Sequence, residues 1–315
     1  MRIAIYGTGG VGGYFGGVLA RAGEEVILIS RGKHLHAIQE NGLKVDSIKG
    51  DFQVKPALAT NDPAQAGPVE AVLVCVKAWQ VPEIAAALPP LLGPETIVVP
   101  LGNGVDAPAQ LKAVLDQPGQ ASHVLGGLCQ ISSYIVEPGH IRHAGIEPFV
   151  AFGPLDNKPR PMVERLRQAF AGAGVKVDVP ADIQAAMWNK FIFISAISGV
   201  GAVTRAPAGT LRSIPETRRI LEAAIRETVA VARASKVSLP EDEAERVLAF
   251  IDSLPVGTAA SMQRDIMEGR PSELEAQNGA VVRMGLELGV PTPAHAFIFG
   301  SLLPLERKAR GQAQF

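Results

Sequence analysis

The hexapeptide Gly7-Thr8-Gly9-Gly10-Val11-Gly12 follows the short apolar run Arg2-Ile3-Ala4-Ile5-Tyr6 and precedes a helical pattern. A G-x-G-x-x-G loop in that setting can hold a pyrophosphate. Its first glycine permits a tight turn, its second lets the backbone approach the phosphates, and its third lets helix and strand pack closely. The phosphates then meet the free N–H groups at the helix N-terminus. Gly7, Thr8, Gly9, Gly10, Val11 and Gly12 are therefore candidate dinucleotide-binding residues. Glycines also mark ordinary turns, so a sheet that binds nothing here is the alternative. The order strand, glycines, helix favours the ligand. In such folds an acid about 20 residues further on holds the ribose 2′-hydroxyl. This chain has Ser30-Arg31-Gly32-Lys33 instead. Arg31 offers a planar fork for a 2′-phosphate, so NADP(H) is expected over NAD(H). The plainer alternative is that Arg31 is only a solvated loop charge.

A loop of this kind needs a parallel sheet to carry it. Buried strands are predicted at Glu25–Ser30, Glu70–Val76, Thr96–Pro100, Phe149–Gly153 and Val175–Val179, with helices over Val81–Leu92 and Pro161–Ala171. Such alternation argues for a parallel sheet covered on both faces. Gly126–Val136 and His140–His143 read as extra, antiparallel strands forming a mixed extension at the sheet edge. Beyond Pro180 the periodicity is almost wholly helical, over 181–203, 215–236, 240–253, 257–269, 272–289 and 293–310. Pro215, Pro240 and Pro293 suit helix starts and Gly289 a stop. The expected fold is an α/β N-terminal Rossmann-type domain (1–180, NADP-binding) with a mixed edge extension, plus an all-α C-terminal domain (181–315, substrate-binding and catalytic). An active site in the cleft between two such domains is the usual arrangement.

With 315 residues and 47% hydrophobic content the chain can bury two cores. A net charge of −1 leaves no footprint for nucleic acid, and no basic run suggests a membrane surface. Phe191–Val203, the most apolar stretch, is expected to be too short to span a bilayer. Strand one starts at residue 2, which argues against a signal peptide. Cys75 and Cys129 read as buried free thiols of a reducing, cytoplasmic compartment. No histidine or cysteine spacing fits a metal site. The apolar C-terminal helices would serve a homodimer interface or simply a core.

Further strings extend this picture. Val76-Lys77-Ala78-Trp79-Gln80 and Pro100-Leu101-Gly102-Asn103-Gly104 each end a buried strand, at the sheet edge where ligands bind. Met187-Trp188-Asn189-Lys190 opens the helical region. Ser261-Met262 is followed by Glu273 and then Asn278-Gly279. This ordered set resembles the ketopantoate reductases (2-dehydropantoate 2-reductases) over essentially the whole chain. The resemblance implies NADPH-dependent reduction of a 2-oxo acid to a 2-hydroxy acid, pantoate in pantothenate biosynthesis. It makes Lys190 the proton donor and Glu273 an active-site carboxylate near substrate and cofactor. It places Lys77 and Asn103 by the nicotinamide and its ribose, Asn103 also by the substrate, and Ser261 at the substrate carboxylate. The chemistry is coherent, because negative charge grows on a ketone oxygen during reduction and a nearby ammonium can both stabilise it and give it a proton. A lone lysine before Phe191-Ile192-Phe193-Ile194 would otherwise read as a snorkelling residue.

The chain departs from the family at the substrate. Ile194 and Ser198, on the helical face of Lys190, stand where well-known members carry asparagines, as do Thr258 and Ala208. They remain the expected substrate-lining positions, but with less hydrogen-bonding capacity. A different 2-oxo acid is therefore an alternative substrate. A 3-hydroxy acid dehydrogenase and a non-catalytic NADP-sensing protein on the same scaffold are the other readings. The Ser261/Glu273 spacing disfavours the first, and retention of Lys190, Glu273 and Asn103 disfavours the second.

Overall fold

A computed structural model describes residues 1–116 and 122–314. The chain forms two compact units, Met1–Gly102 with Ala107–Ile183 and Asn103–Asp106 with Gln184–Phe315.

The first unit opens with β1 (Arg2–Tyr6), α1 (Gly10–Arg21), β2 (Glu25–Ile29) and α2 (Gly32–Asn41). Three short strands follow, β3 (Leu43–Ser47), β4 (Phe52–Val54) and β5 (Leu58–Thr60), then β6 (Val69–Val74), α3 (Val81–Ala85) and β7 (Leu92–Pro100). A five-stranded parallel sheet has the order β5-β2-β1-β6-β7, with Ile3 opposite both Val26 and Ala71. Ile3, Ile5, Leu28, Leu73 and Val99 join one core cluster, whereas Ala4, Ile27, Val72 and Val98 join another. Successive side chains point to opposite faces, so both faces are buried, and this is why the strands read as continuous apolar runs.

The unit continues with α4 (Ala107–Leu115), β8 (Leu125–Gln130), β9 (Ser133–Glu137), β10 (His140–His143), β11 (Phe149–Pro154), α5 (Pro161–Gly172) and β12 (Lys176–Asp178). The predicted strand Gly126–Val136 is in fact two. β8 pairs antiparallel with β11 in a β12-β11-β8 sheet, and β9 pairs with β10 in a β4-β3-β10-β9 sheet. The break falls at Ile131-Ser132, where Ser132 O accepts from Ala144 N–H instead of from a ladder partner. β10 is also parallel to β3, so the extension is mixed, but its parallel partner comes from the early part of the chain. The β8 sheet abuts β7 through a Val98–Val124 bridge. The predicted helix Val81–Leu92 stops at Ala85, and a 3₁₀ turn over Pro89–Leu91 takes its place. Consecutive prolines remove the N–H donors that an α-helix needs there.

The glycines of α1 let it fit between two sheets. A Cβ on Gly16 would lie 2.7 Å from Leu28, on the parallel sheet; one on Gly13 would lie 2.7 Å from Ile141, on the second sheet.

The second unit comprises α6 (Ile183–Thr204), α7 (Ala208–Ser213), α8 (Pro215–Ala234), α9 (Glu243–Ser253), α10 (Ser261–Met267), a π-helical turn (Glu275–Gly279), α11 (Ala280–Leu288) and α12 (Pro293–Ala309). Pro215 and Pro293 open helices as expected, and Gly289 ends α11 in the left-handed region at φ 68°. Pro240 does not open a helix; α9 starts at Glu243. α6, at 22 residues, matches the helix expected over 181–203; taken whole, rather than over Phe191–Val203 alone, it is long and apolar enough to cross a membrane by length and composition. However, 67% of its most apolar window is buried inside the protein, as befits the central helix of a helical core.

A polar network runs through that core. Asn278 Nδ2 donates to Ser195 O (3.1 Å) and to His295 Nδ1 (3.0 Å). His295 Nε2 therefore carries the ring proton and faces Ala224 O (3.0 Å) and Thr228 Oγ1 (2.9 Å). Burial holds His295 neutral, with its pKa down at about 4. Above the ordinary value of 6.5 the ring is neutral both folded and unfolded, so it contributes no pH dependence. As the pH falls from there to about 4, the unfolded chain gains a proton that the folded chain lacks, and stability is lost. The loss is on the order of 3 kcal/mol and levels off below that window. His295→Gln is expected to flatten this part of the curve in denaturant melts between neutral pH and acid. An unchanged slope would remove His295 as its source.

Candidate active site

The glycine loop lies in the first unit. Gly7 sits at φ +94°, where L side chains are strained, and a Cβ there would meet Val76 at 2.7 Å. A Cβ on Gly12 would lie 2.1 Å from Gly7 O and 2.9 Å from Cys75 and Ile5, so α1 can rest on β1 only with glycine at this position. A Cβ on Gly9 meets nothing within 4 Å. Gly9 is also the N-cap of α1, and no side chain caps the helix there. The three glycines thus do the three things a dinucleotide loop requires, and the uncapped N–H groups around Gly10, Val11 and Gly12 suit a phosphate. The residues present therefore fit a dinucleotide. Thr8 is anchored within the loop. Its side chain is buried and donates to Ile29 O (3.1 Å), tying the loop to β2.

Arg31 caps α2 directly beyond β2, and its exposed guanidinium lies 3.6 Å from Glu83. Ser30–Lys33 contains no acid. Lys77 follows β6, gives its N–H to Gln80 Oε1 (3.2 Å), and holds its ammonium 5.9 Å from the Trp79 ring centre. Burial pushes the Cys75 thiol well up, so Cys75 is a neutral packing group beneath the loop. Among the described residues, no group of His, Cys, Asp and Glu is placed to hold a metal ion.

The remaining candidates lie in the second unit. Asn103 was expected with the nucleotide-binding domain, but residues Asn103–Asp106 group with the helices. Three contacts explain this. Asn103 Nδ2 donates to Glu273 Oε2 at 2.9 Å, Val105 packs with Trp188, Phe191 and Val281, and Asp106 pairs with Arg283. Gly104, at φ +98°, lies so close to Ala276 O that a Cβ would be 3.0 Å away.

Glu273 is buried at 3% exposure. Its neighbour Ser272 is held by a clamp from the end of α12. Ser272 N–H donates to both oxygens of Glu306 (3.1 and 3.0 Å), and its hydroxyl donates to Glu306 Oε2 (2.5 Å). Arg310 donates to Glu306 Oε1 (2.6 Å) and to Ser272 O (3.0 Å). A carboxylate buried at 2% exposure is tolerable only with such compensation. The clamp fixes the backbone from which the Glu273 side chain projects.

Lys190, Ile194 and Ser198 follow one another at single-turn spacing along α6. Lys190 is half-buried and Ser198 fully buried. Ser261 is the first residue of α10. Ala208 and Thr258, both expected by the substrate, are joined by Ala208 N–H donating to Thr258 O at 2.9 Å. Sequence reasoning overlooked Gln277, which is wholly buried one turn beyond Glu273 and gives its N–H to Glu273 O at 2.9 Å. Its spacing of four from Glu273 was the available signal. The Glu306 clamp had none, since nothing local links the two positions.

Residues 3–157 match the family described as ketopantoate reductase PanE/ApbA, and residues 182–306 match its C-terminal family. A crystal structure of a PanE/ApbA family ketopantoate reductase from Ralstonia eutropha JMP134 superposes with a TM-score of 0.88 at 33% identity, covering 98% of this chain and 100% of that one. A 2-dehydropantoate 2-reductase from Halobacterium salinarum is 31% identical over 298 residues, 93% of this chain and 95% of that protein. A ternary structure of D-mandelate dehydrogenase with NADH and anilino(oxo)acetate shares the fold, with a TM-score of 0.87 at 22% identity, over 98% of this chain and 99% of that one. With both of its halves matched, the chain belongs to the ketopantoate reductase family of oxidoreductases.

Proposed function

We propose that the protein reduces 2-dehydropantoate to pantoate with NADPH. The observation that carries this reading is the hydrogen bond from half-buried Asn103 to buried Glu273, held in the same unit as Lys190 in a member of this family. The relative from Halobacterium salinarum named for this reaction supports the substrate. Gly7–Gly12 would hold the pyrophosphate and Arg31 the 2′-phosphate.

A bound dihydronicotinamide supplies the hydride that reduces the ketone carbon. The chain's own work is at the oxygen. The Lys190 ammonium stabilises the charge growing there and delivers a proton to it. Glu273 accepts from the Asn103 amide, which fixes the rotamers of both groups before substrate arrives, so no reorganisation is needed during the reaction. Ser261 offers its hydroxyl to the substrate carboxylate.

A second reading, reduction of a different 2-oxo acid, is favoured by Ile194. The branched sec-butyl side chain of Ile194, between Lys190 and Ser198, takes an apolar substituent more readily than a polar one. D-mandelate dehydrogenase, on the same fold, takes its name from an aryl 2-hydroxy acid.

Two measurements test the proposal. NADPH oxidation with 2-dehydropantoate and a panel of 2-oxo acids should show 2-dehydropantoate as the best substrate and NADPH preferred over NADH. Arg31→Ala should erase that preference by raising the KM for NADPH about ten-fold while leaving NADH unaffected. A wild-type preference for NADH would overturn the cofactor assignment. Lys190→Ala should lower kcat roughly 10²- to 10⁴-fold with little change in NADPH affinity. Near wild-type turnover would remove Lys190 from the mechanism.

A further inference from the structure

We propose that Glu83 limits how strongly the enzyme prefers the 2′-phosphorylated nicotinamide cofactor over its 2′-hydroxyl counterpart; this rests on the NADPH reading above. Arg31, the residue assigned there to the 2′-phosphate, has a carboxylate beside it. Its Nη1 lies 3.6 Å from Glu83 Oε1. The two side chains come from different elements. Arg31 follows β2 as the N-cap of α2, and Glu83 lies in the first turn of α3, beyond β6. β2 and β6 flank β1 in the parallel sheet, so both elements start from the carboxyl edge where ligands bind. Tyr6, the last residue of β1, feels both charges. Burial raises its pKa above the ordinary value, with Arg31 pulling it down and Glu83 pushing it up.

The apolar residues around Glu83 fix its placement. Val81, Ile84 and Ala85 are buried in the core beneath α3, and Gln80, its N-cap, accepts from Lys77 N–H through Oε1 (3.2 Å). Glu83 is left outside at 69% exposure, facing an Arg31 side chain at 67%. Those exposures decide what the pair does. An ion pair this open to water contributes little to stability, so the contact is not what holds the fold together. Both groups stay accessible to an arriving ligand. In related folds that bind NAD, an acid at the end of the second strand holds the ribose 2′-hydroxyl. Ser30–Lys33 has none. Glu83 brings a carboxylate to the Arg31 fork from α3 instead. A 2′-phosphate that pairs with Arg31 carries a charge of about −2 and must displace or tolerate that carboxylate. A 2′-hydroxyl meets no such repulsion and can donate to it. Glu83 therefore works against Arg31, and the preference for the phosphorylated cofactor is smaller than Arg31 alone would give.

The test is equilibrium binding, by isothermal titration calorimetry, of adenosine 2′,5′-bisphosphate and of 5′-AMP. These two probes differ only at the 2′ position, and their binding needs no turnover. The wild-type protein should bind the bisphosphate more tightly. Glu83→Gln and Glu83→Ala should each raise the ratio of the two affinities about three-fold or more. That gain should largely vanish at about 1 M salt, where exposed charges are screened. The ratio of the KM for NADH to that for NADPH should rise in the same variants. An acid in the first turn also favours a helix's own N-terminus. If that were the whole role of Glu83, Tm would fall while the affinity ratio stayed put, and the proposal would be overturned. A ratio unchanged or lowered in either variant would contradict it, as would a gain undiminished in high salt. Should the wild-type protein bind the bisphosphate no more tightly than 5′-AMP, the NADPH reading itself would fall, and this proposal with it. A wild-type preference for the bisphosphate that neither variant increases would remove the proposal alone.

Discussion

The bond from Asn103 Nδ2 to Glu273 Oε2 joins residues 170 positions apart within the helical unit, and the candidate site depends on it. It requires two things. The four residues after Gly102 must pack with the helices, which Val105 and the Asp106–Arg283 pair ensure. The Glu273 backbone must also be immobile, which the Ser272–Glu306–Arg310 clamp achieves from the last helix. A carboxylate buried this deeply would be costly alone. Set against an amide donor, it becomes a fixed acceptor whose position does not depend on solvent.

In the first unit the governing constraint is steric. α1 lies between two sheets, and its glycines are the places where backbone or side chains from either side come too close for a Cβ. The loop that precedes it inherits its shape from that packing. Gly7 and Gly12 are required by near neighbours, whereas Gly9 faces open space. A loop shaped this way presents bare N–H groups to an anion without any further adjustment.

Much of this was legible in the chain. β1, β2, β6 and β7 are continuous apolar runs because both faces of their sheet are buried, and the glycine spacing located the loop. The helices of the second unit announced themselves through periodicity, prolines and Gly289. The short strands β3 to β5 did not, since β4 and β5 have three residues each and little apolar patterning. The split of Gly126–Val136 into strands of two sheets depends on pairings made far along the chain. At the site, motif positions such as Lys190, Glu273 and Ser261 were readable from resemblance. The grouping of Asn103 with the helices was not, because a strand-ending Leu-Gly-Asn-Gly looks the same whichever unit it joins. Gln277 offered only its spacing of four from Glu273, which alone does not mark a site residue. It sits in a π-helical turn, whose wider winding has no signature in a hydrophobic pattern of ordinary helical period.

The central claim is that Lys190, Asn103 and Glu273 serve the reduction of a ketone adjacent to a carboxylate. It is tested most directly by following label into product. NADPH deuterated at the reactive nicotinamide carbon, in each of its two stereochemical forms, is supplied with 2-dehydropantoate, and the product is analysed by NMR and mass spectrometry. The account predicts pantoate carrying one deuterium at C2 from one of the two labelled forms and none from the other. Product without deuterium from either form, or oxidation of NADPH with no 2-hydroxy acid formed, would contradict it.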